Sequence, residues 1–197
     1  GIGGASTATF NSSLTATTVA VTASIGGAGT SGGAIGGVGG AATLDLNLVA
    51  GTAQAIGTLT ITGGAGGATN SIIGGAGGNA LATIAGDVTG NIVLVSGAPV
   101  SSGAAGGTST VTFDGETAQT LIGNITTNGV VDTGVVTVSN AAGLTVNGSM
   151  GVAGSAGSER GLGSITIATD SSLTQKALSG VITLDVKGNV DNGAGAT

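Results

Sequence analysis

Asp114 and Glu116 lie two residues apart across Gly115. On a strand that spacing puts both carboxylates on one face, which is what a glycoside hydrolase needs for its acid and base. A glycine between them instead favours a solvated Asp-Gly-Glu turn, so no catalytic role is expected. The chain contains no histidine and no cysteine. Imidazole acid–base chemistry, Ser-His-Asp and Cys-His arrangements, disulfides and thiolate metal sites are therefore excluded.

Calcium is the next chemistry to test. Residues 74–82 read GGAGGNALA, which matches the calcium-roll nonapeptide G-G-x-G-x-D-x-U-x except that Asn79 stands at the acidic position. Such sites share each ion between successive turns and need tandem copies. Residues 63–71 lack the acidic position altogether, so Asp114, Glu116 and Asn79 remain weak candidates and no metal or cofactor is expected. No G-x-x-x-x-G-K-[ST] phosphate loop occurs in the chain. Threonine pairs on one strand face (Thr58 with Thr60, Thr60 with Thr62, Thr110 with Thr112) would suit an ice lattice. Their spacing along the chain is too irregular to predict one flat array. Three sequons, at Asn11, Asn124 and Asn147, are expected by chance in a chain so rich in Asn, Ser and Thr.

The elements that would carry these residues are short strands. Residues 108–146 alternate β-rich runs (110–113, 120–122, 125–127, 135–139, 144–146) with turns at Asp114-Gly115, Asn128-Gly129 and residues 140–143. Residues 43–48 alternate Leu with Asp and Asn at period two, and residues 58–62 repeat the pattern. Ile92 to Val95 is continuously apolar, as in a strand covered on both faces. Residues 8–10, 14–22, 81–84, 164–168 and 180–186 complete the strands, with a polar tail from Lys187 to Thr197. No helical period appears. The expected core is Leu44, Leu46, Ile92, Leu94, Val111, Phe113, Ile125, Val136, Val138, Ile182 and Leu184.

Between the strands lie Gly-rich stretches near residues 25–42, 63–80, 97–107 and 148–163, read as protruding loops, the first of them polyproline II-like. A degenerate repeat links Thr52-Ala53-Gln54 … Gly57-Thr58 to Thr117-Ala118-Gln119 … Gly123-Asn124 and to Thr174-Gln175 … Gly180. The pivot threonines 15, 52, 117 and 174 are 37, 65 and 57 positions apart. Those gaps suit turns of roughly 20 residues, about ten of them, in a rod ~45 Å long at ~4.8 Å per turn. The fold class predicted is all-β: a right-handed parallel β-helix or β-solenoid over residues 1–197, with an antiparallel β-sandwich as the alternative.

Composition agrees with a thin repetitive core. There are 43 glycines, one proline, two Phe and no Tyr or Trp among 197 residues. Three cations against nine carboxylates give a net charge of −6. Without clustered Lys or Arg, neither nucleic acid nor an anionic membrane is an expected partner. No apolar run is long enough to span a bilayer. The start at Gly1, without a basic and apolar leader, suggests a processed or internal piece.

The units Thr112-Phe113-Asp114, Thr117-Ala118-Gln119 and Gly123-Asn124-Ile125-Thr126, set among Gly/Ala stretches, resemble the repetitive passenger regions of bacterial autotransporter-type surface antigens, rickettsial outer-membrane surface antigens among them. That resemblance implies a parallel β-helix displayed outside the cell as adhesin or coat. The function expected is accordingly structural and non-enzymatic: a segment of a bacterial or archaeal surface coat, adhesin or extracellular filament. Its partners would be copies of itself or flanking repeats, with a host-cell or glycan surface as a further class. Ala8, Phe10, Leu14, Val19, Val21 and Val186 would form the self-association edges, since the first strands carry no charge or proline to guard them. The alternatives are a strand-donating sandwich subunit of a filament or S-layer, and a carbohydrate-active β-helix enzyme.

Overall fold

β-Branched residues alternating with small polar ones give strands and, among the described residues, no helix. The computed structural model describes residues 1–30, 34–47, 53–69, 73–101, 104–128, 134–151, 162–176 and 186–192. The first sheet takes, in spatial order, β1 (Ser6–Phe10), β3 (Ala42–Leu46), β5 (Ala80–Ile84), β7 (Ser109–Phe113), β10 (Gly134–Val138), β12 (Leu162–Ile167) and β14 (Val186–Asn192). The second takes β2 (Thr15–Thr22), β4 (Ala53–Thr62), β6 (Asp87–Val95), β8 (Gln119–Ile122), β11 (Leu144–Asn147) and β13 (Leu173–Lys176). In this sheet β9 (Ile125–Asn128) lies beside the second half of β6.

Among the described residues every strand pairing is parallel, which is incompatible with the antiparallel sandwich. The chain crosses from one sheet to the other and returns one strand further along. Ser6 pairs with Ala42, Ala42 with Ala80, Ala80 with Ser109, Ser109 with Gly134, Gly134 with Leu162, and Leu162 with Val186. The steps are thus 36, 38, 29, 25, 28 and 24 residues, longer than the 20 expected from threonine spacing. The long early steps contain the Gly-rich stretches.

Period-two alternation sends one side of each strand inward. Leu44, Ala82, Val111, Val136 and Ile165 stack in one row, and Leu46, Ile84, Phe113, Val138 and Ile167 in the next. Leu44, Leu46, Ile92, Leu94, Val111, Phe113, Ile125, Val136 and Val138 are all buried. Ile182 and Leu184 lie outside the described residues. Val93 and Val95 are only half-buried, so the apolar run of β6 is covered on one face rather than two.

The first halves of β4 and β6, and all of β13, were not expected as strands, because polar Gln54, Thr89 and Gln175 interrupt their pattern. The polar tail beyond Lys187 is corrected too: Val186–Asn192 pairs with β12.

Side-chain amides fix two bends of the chain, one buried and one half-buried. Gln119 Oε1 accepts from Gly115 N–H (3.0 Å) and from Asn140 Nδ2 (2.8 Å). Gln119 Nε2 donates to the carbonyls of Ile84 (2.8 Å) and Gly86 (3.2 Å), so the side chain is fully satisfied in a dry corner. At the bend inside the second sheet, Asn91 Oδ1 accepts from Asn124 N–H (3.0 Å) and Asn124 Oδ1 from Ser149 N–H (2.8 Å). Each is preceded by glycine. Gly90 sits at φ 139°, and a Cβ there would collide with the Ile56 carbonyl.

Candidate functional site

The carboxylates come first. Asp114 and Glu116 are both exposed in the turn after β7, and Gly115 N–H is tied back to Gln119. Among the described residues no group of three or more Asp or Glu could hold a metal ion together. Partial burial, and then the charge of Asp45 from the same sheet face, hold the Asp114 carboxyl above its ordinary value of 3.8 against a backbone hydrogen bond that lowers it. Ionised Asp114 is therefore less favourable in the folded than in the unfolded chain. That penalty is fully present above the folded pKa and is gone below the ordinary value, where both states are protonated. Asp114→Asn is expected to melt slightly above wild type at pH 7, with the gap closing by about pH 3. A fall in melting temperature at pH 7 would contradict this.

Asn79 serves the fold. Its Oδ1 accepts from Thr108 N–H (2.9 Å), joining one repeat to the next. The glycines of its nonapeptide belong to a larger arrangement, which overturns their reading as protruding loops. Residues 23–30, 63–69 and 96–101 run side by side in one layer, and residues 1–5, 34–41, 73–79 and 104–108 in a second layer against it. Within a layer, Gly26 donates to Ala65 O (2.9 Å), Gly66 to Ala98 O (3.0 Å), Gly39 to Ala76 O (2.9 Å) and Gly77 to Ala105 O (2.9 Å). Between layers, Gly37 donates to Gly27 O (2.8 Å), Gly64 to Gly40 O (2.9 Å), Gly75 to Gly67 O (3.0 Å) and Gly78 to Gly64 O (2.8 Å).

Each donor set recurs every third residue: Gly63 and Gly66 bond within the layer, Gly64 and Gly67 across it. Three residues per turn is the period of polyproline II, a helix with no internal hydrogen bonds and its polar groups free for neighbours. The third residue of each unit (Ala65, Ala68, Ala76, Ala98, Ala105) reaches the surface, whereas Gly64, Gly66, Gly67, Gly75 and Gly78 are buried. Glycine is required here for space. None of these residues has positive φ, but a Cβ on Gly39, Gly66 or Gly77 would fall far inside van der Waals contact with the carbonyl of Gly64, Gly75 or Gly97.

The layer has two irregular margins. Gly64 and Gly97 face the preceding strand of their layer, whereas the equivalent residue at its first strand is Ser24, exposed and carrying a Cβ. Gly26 and Gly66 donate to the following strand, whereas the equivalent residue of the last strand is Pro99, the only proline and a residue without an N–H.

Outside this layer, Thr110 and Thr112 fall into threonine columns of the first sheet, whereas Thr58, Thr60 and Thr62 of the second sheet lie beside Asn91, Val93 and Val95. Thr9, Asp45, Thr83, Thr112, Thr137 and Thr166 form one outward column of the first sheet. Thr7, Thr43, Leu81, Thr110, Val135 and Ser164 form the next. Chain spacing misled because the intervening stretches differ in length while the strands do not. Asp45, Leu81 and Val135 interrupt the array.

The predicted association edge is split in its burial. Ala8, Phe10, Leu14 and Val19 are half-buried and pack on the core from one side, while Val21 is buried. Among the described residues, β1 and β2 each begin their sheet and have a neighbour on one side only, as have β14 and β13 at the other end. Val186 opens β14. Large apolar side chains are otherwise exposed mainly on the glycine layer: Ile2, Ile25, Ile35, Val38, Ile73 and Val100. A shallow groove of about 360 Å³ crosses from the second sheet onto this layer, walled by Ile25, Ala65, Val95 and Ala98, with no charged group in its lining.

No helix among the described residues is long and apolar enough to cross a membrane. Neither a protein-family model, nor a curated protein, nor a solved structure matches this chain. The feature that sequence reasoning missed most was the glycine layer. Its signal was the three-residue period of the Gly-Gly-x runs, read in one dimension as protruding loops.

Proposed function

We propose that this chain is a structural segment of a cell-surface protein, a right-handed β-solenoid that acts by self-association in a coat, adhesin or filament rather than by catalysis. The observation that carries this reading is the state of the sheet edges. β1 and β2 are open on one side, contain neither charge nor proline, and leave Phe10 and Leu14 half-covered. Open parallel edges without Lys or Pro are templates for further strands. The regular return of each strand to the same sheet supports a coil whose repeats bury a face only by stacking. Sparse charge and outward threonine columns suit an inert extracellular scaffold. An aqueous catalytic centre would call for converging polar groups in a pocket.

Light scattering and electron microscopy of the 197-residue chain at neutral pH test the proposal. Growth into stacks or filaments with rising concentration is expected. A monodisperse monomer at high concentration would overturn it.

A further inference from the structure

We infer that copies of this chain join head to tail through their sheets alone, β14 and β13 of one copy docking on β1 and β2 of the next, with the glycine layer closed to the junction. The inference rests on the self-association reading and specifies its surfaces, its polarity and its register.

Three observations carry it. First, the two ends are complementary. β1 and β14 are the two terminal strands of the first sheet, and β2 and β13 those of the second. All pairings inside the chain are parallel, so a second copy placed end to end continues both sheets by the contact already repeated between neighbouring strands. Such a heterologous contact does not close on itself and generates a filament.

Second, Ser24 blocks the glycine layer at its amino-terminal margin. A new strand against residues 23–30 would set its carbonyl where the Ser24 side chain stands, because Gly64 and Gly97 meet the preceding strand's carbonyl at the equivalent place. The opposite margin, at Pro99, precedes β7 and lies three strands short of β14, so it takes no part in the junction. Gly4 stays open: a Cβ there would meet only Ser24 Oγ, at 3.7 Å.

Third, the apolar groups left half-covered at the amino-terminal end, Ala8, Phe10, Leu14 and Val19, belong to β1, β2 and the turn between them. These strands have surface to gain by stacking. Register follows from the columns. Thr9 begins the outward column that runs through Thr83, Thr112 and Thr166, and Asp191 of β14 is the register partner of Thr166. A slip of one residue would turn the inward row outward, so the junction brings Asp191 of one copy beside Thr9 of the next.

The chain has no cysteine, which makes the test direct. Two single variants, Thr9→Cys and Asp191→Cys, are mixed and mildly oxidised, with Thr137→Cys, in the middle of the same column, as control partner for each. Neighbouring strand positions suit disulfide geometry, so the mixed disulfide joining the Thr9→Cys and Asp191→Cys variants should exceed either homodimer and any Thr137→Cys adduct by about ten-fold. A dominant Thr9→Cys homodimer would mean head-to-head contact and overturn the inference. So would equal yields with Thr137→Cys, which indicate random collision. Absence of the mixed disulfide while light scattering still reports growth would remove this junction and leave the self-association reading intact. Absence of both would remove the reading itself.

Discussion

Gly66→Ala should cost this protein about 4 kcal/mol, enough to unfold the glycine layer and with it much of the chain. The added Cβ would run into the carbonyl of Gly75, which is backbone and cannot swing aside. Overpacking a well-filled interior costs roughly 1–3 kcal/mol when side chains can adjust. Here the two layers must separate instead, which also breaks bonds such as Gly64 to Gly40 and Gly75 to Gly67, each worth about 1 kcal/mol. A natural domain has only about 5–15 kcal/mol in reserve. Urea unfolding followed by circular dichroism measures the loss. Ala68→Ser, on the exposed third position of the next unit, should stay within about 0.5 kcal/mol of wild type. If the two variants unfold at the same denaturant concentration, the close approach of the two layers is not what holds this region.

Leu94→Asp should abolish folding. Leu94 is fully buried between Ile61 and Thr127 in the second sheet. Truncating such a leucine costs about 2–5 kcal/mol, and an uncompensated carboxylate in its place adds several more. The adjacent residue provides the contrast. Val93 is half-buried on the outward face, so Val93→Asp should leave a folded protein with a lowered melting point. Thermal melts that agree between the two would mean that the inward and outward faces of β6 are misassigned.

How much of this could be read from the chain depends on which force makes each element. Where burial of side chains decides, the pattern was plain. Alternating Leu44, Asp45 and Leu46 marked β3, and Val111 with Phe113 marked β7. Where a polar side chain replaces an apolar one inside a corner, the pattern failed. Gln54 and Gln119 share a Thr-Ala-Gln text, yet Gln54 aligns with Val88 and so with Leu121, two positions beyond Gln119. Text likeness could not show that, because the register is fixed by neighbouring strands. The glycine layer was hidden for a deeper reason. Its cohesion is backbone hydrogen bonding at close approach, which leaves no hydrophobic trace in the sequence, only absent side chains at period three. The association edge was legible from uncharged β1 and β2, whereas the margins set by Ser24 and Pro99 appear only once the strands are laid side by side.

The cross-layer bonds change how the molecule would respond to being pulled. Tension along the stacking direction loads the ladders between neighbouring strands in series, so they open one bond at a time. In the first repeats Gly64 is also tied to Gly40, Gly75 to Gly67 and Gly78 to Gly64, at an angle to that direction. Those bonds take the load in shear and must break together. The glycine-braced part of the chain is therefore the stiff part, and stretching should begin beyond Pro99, where the sheets carry the force alone.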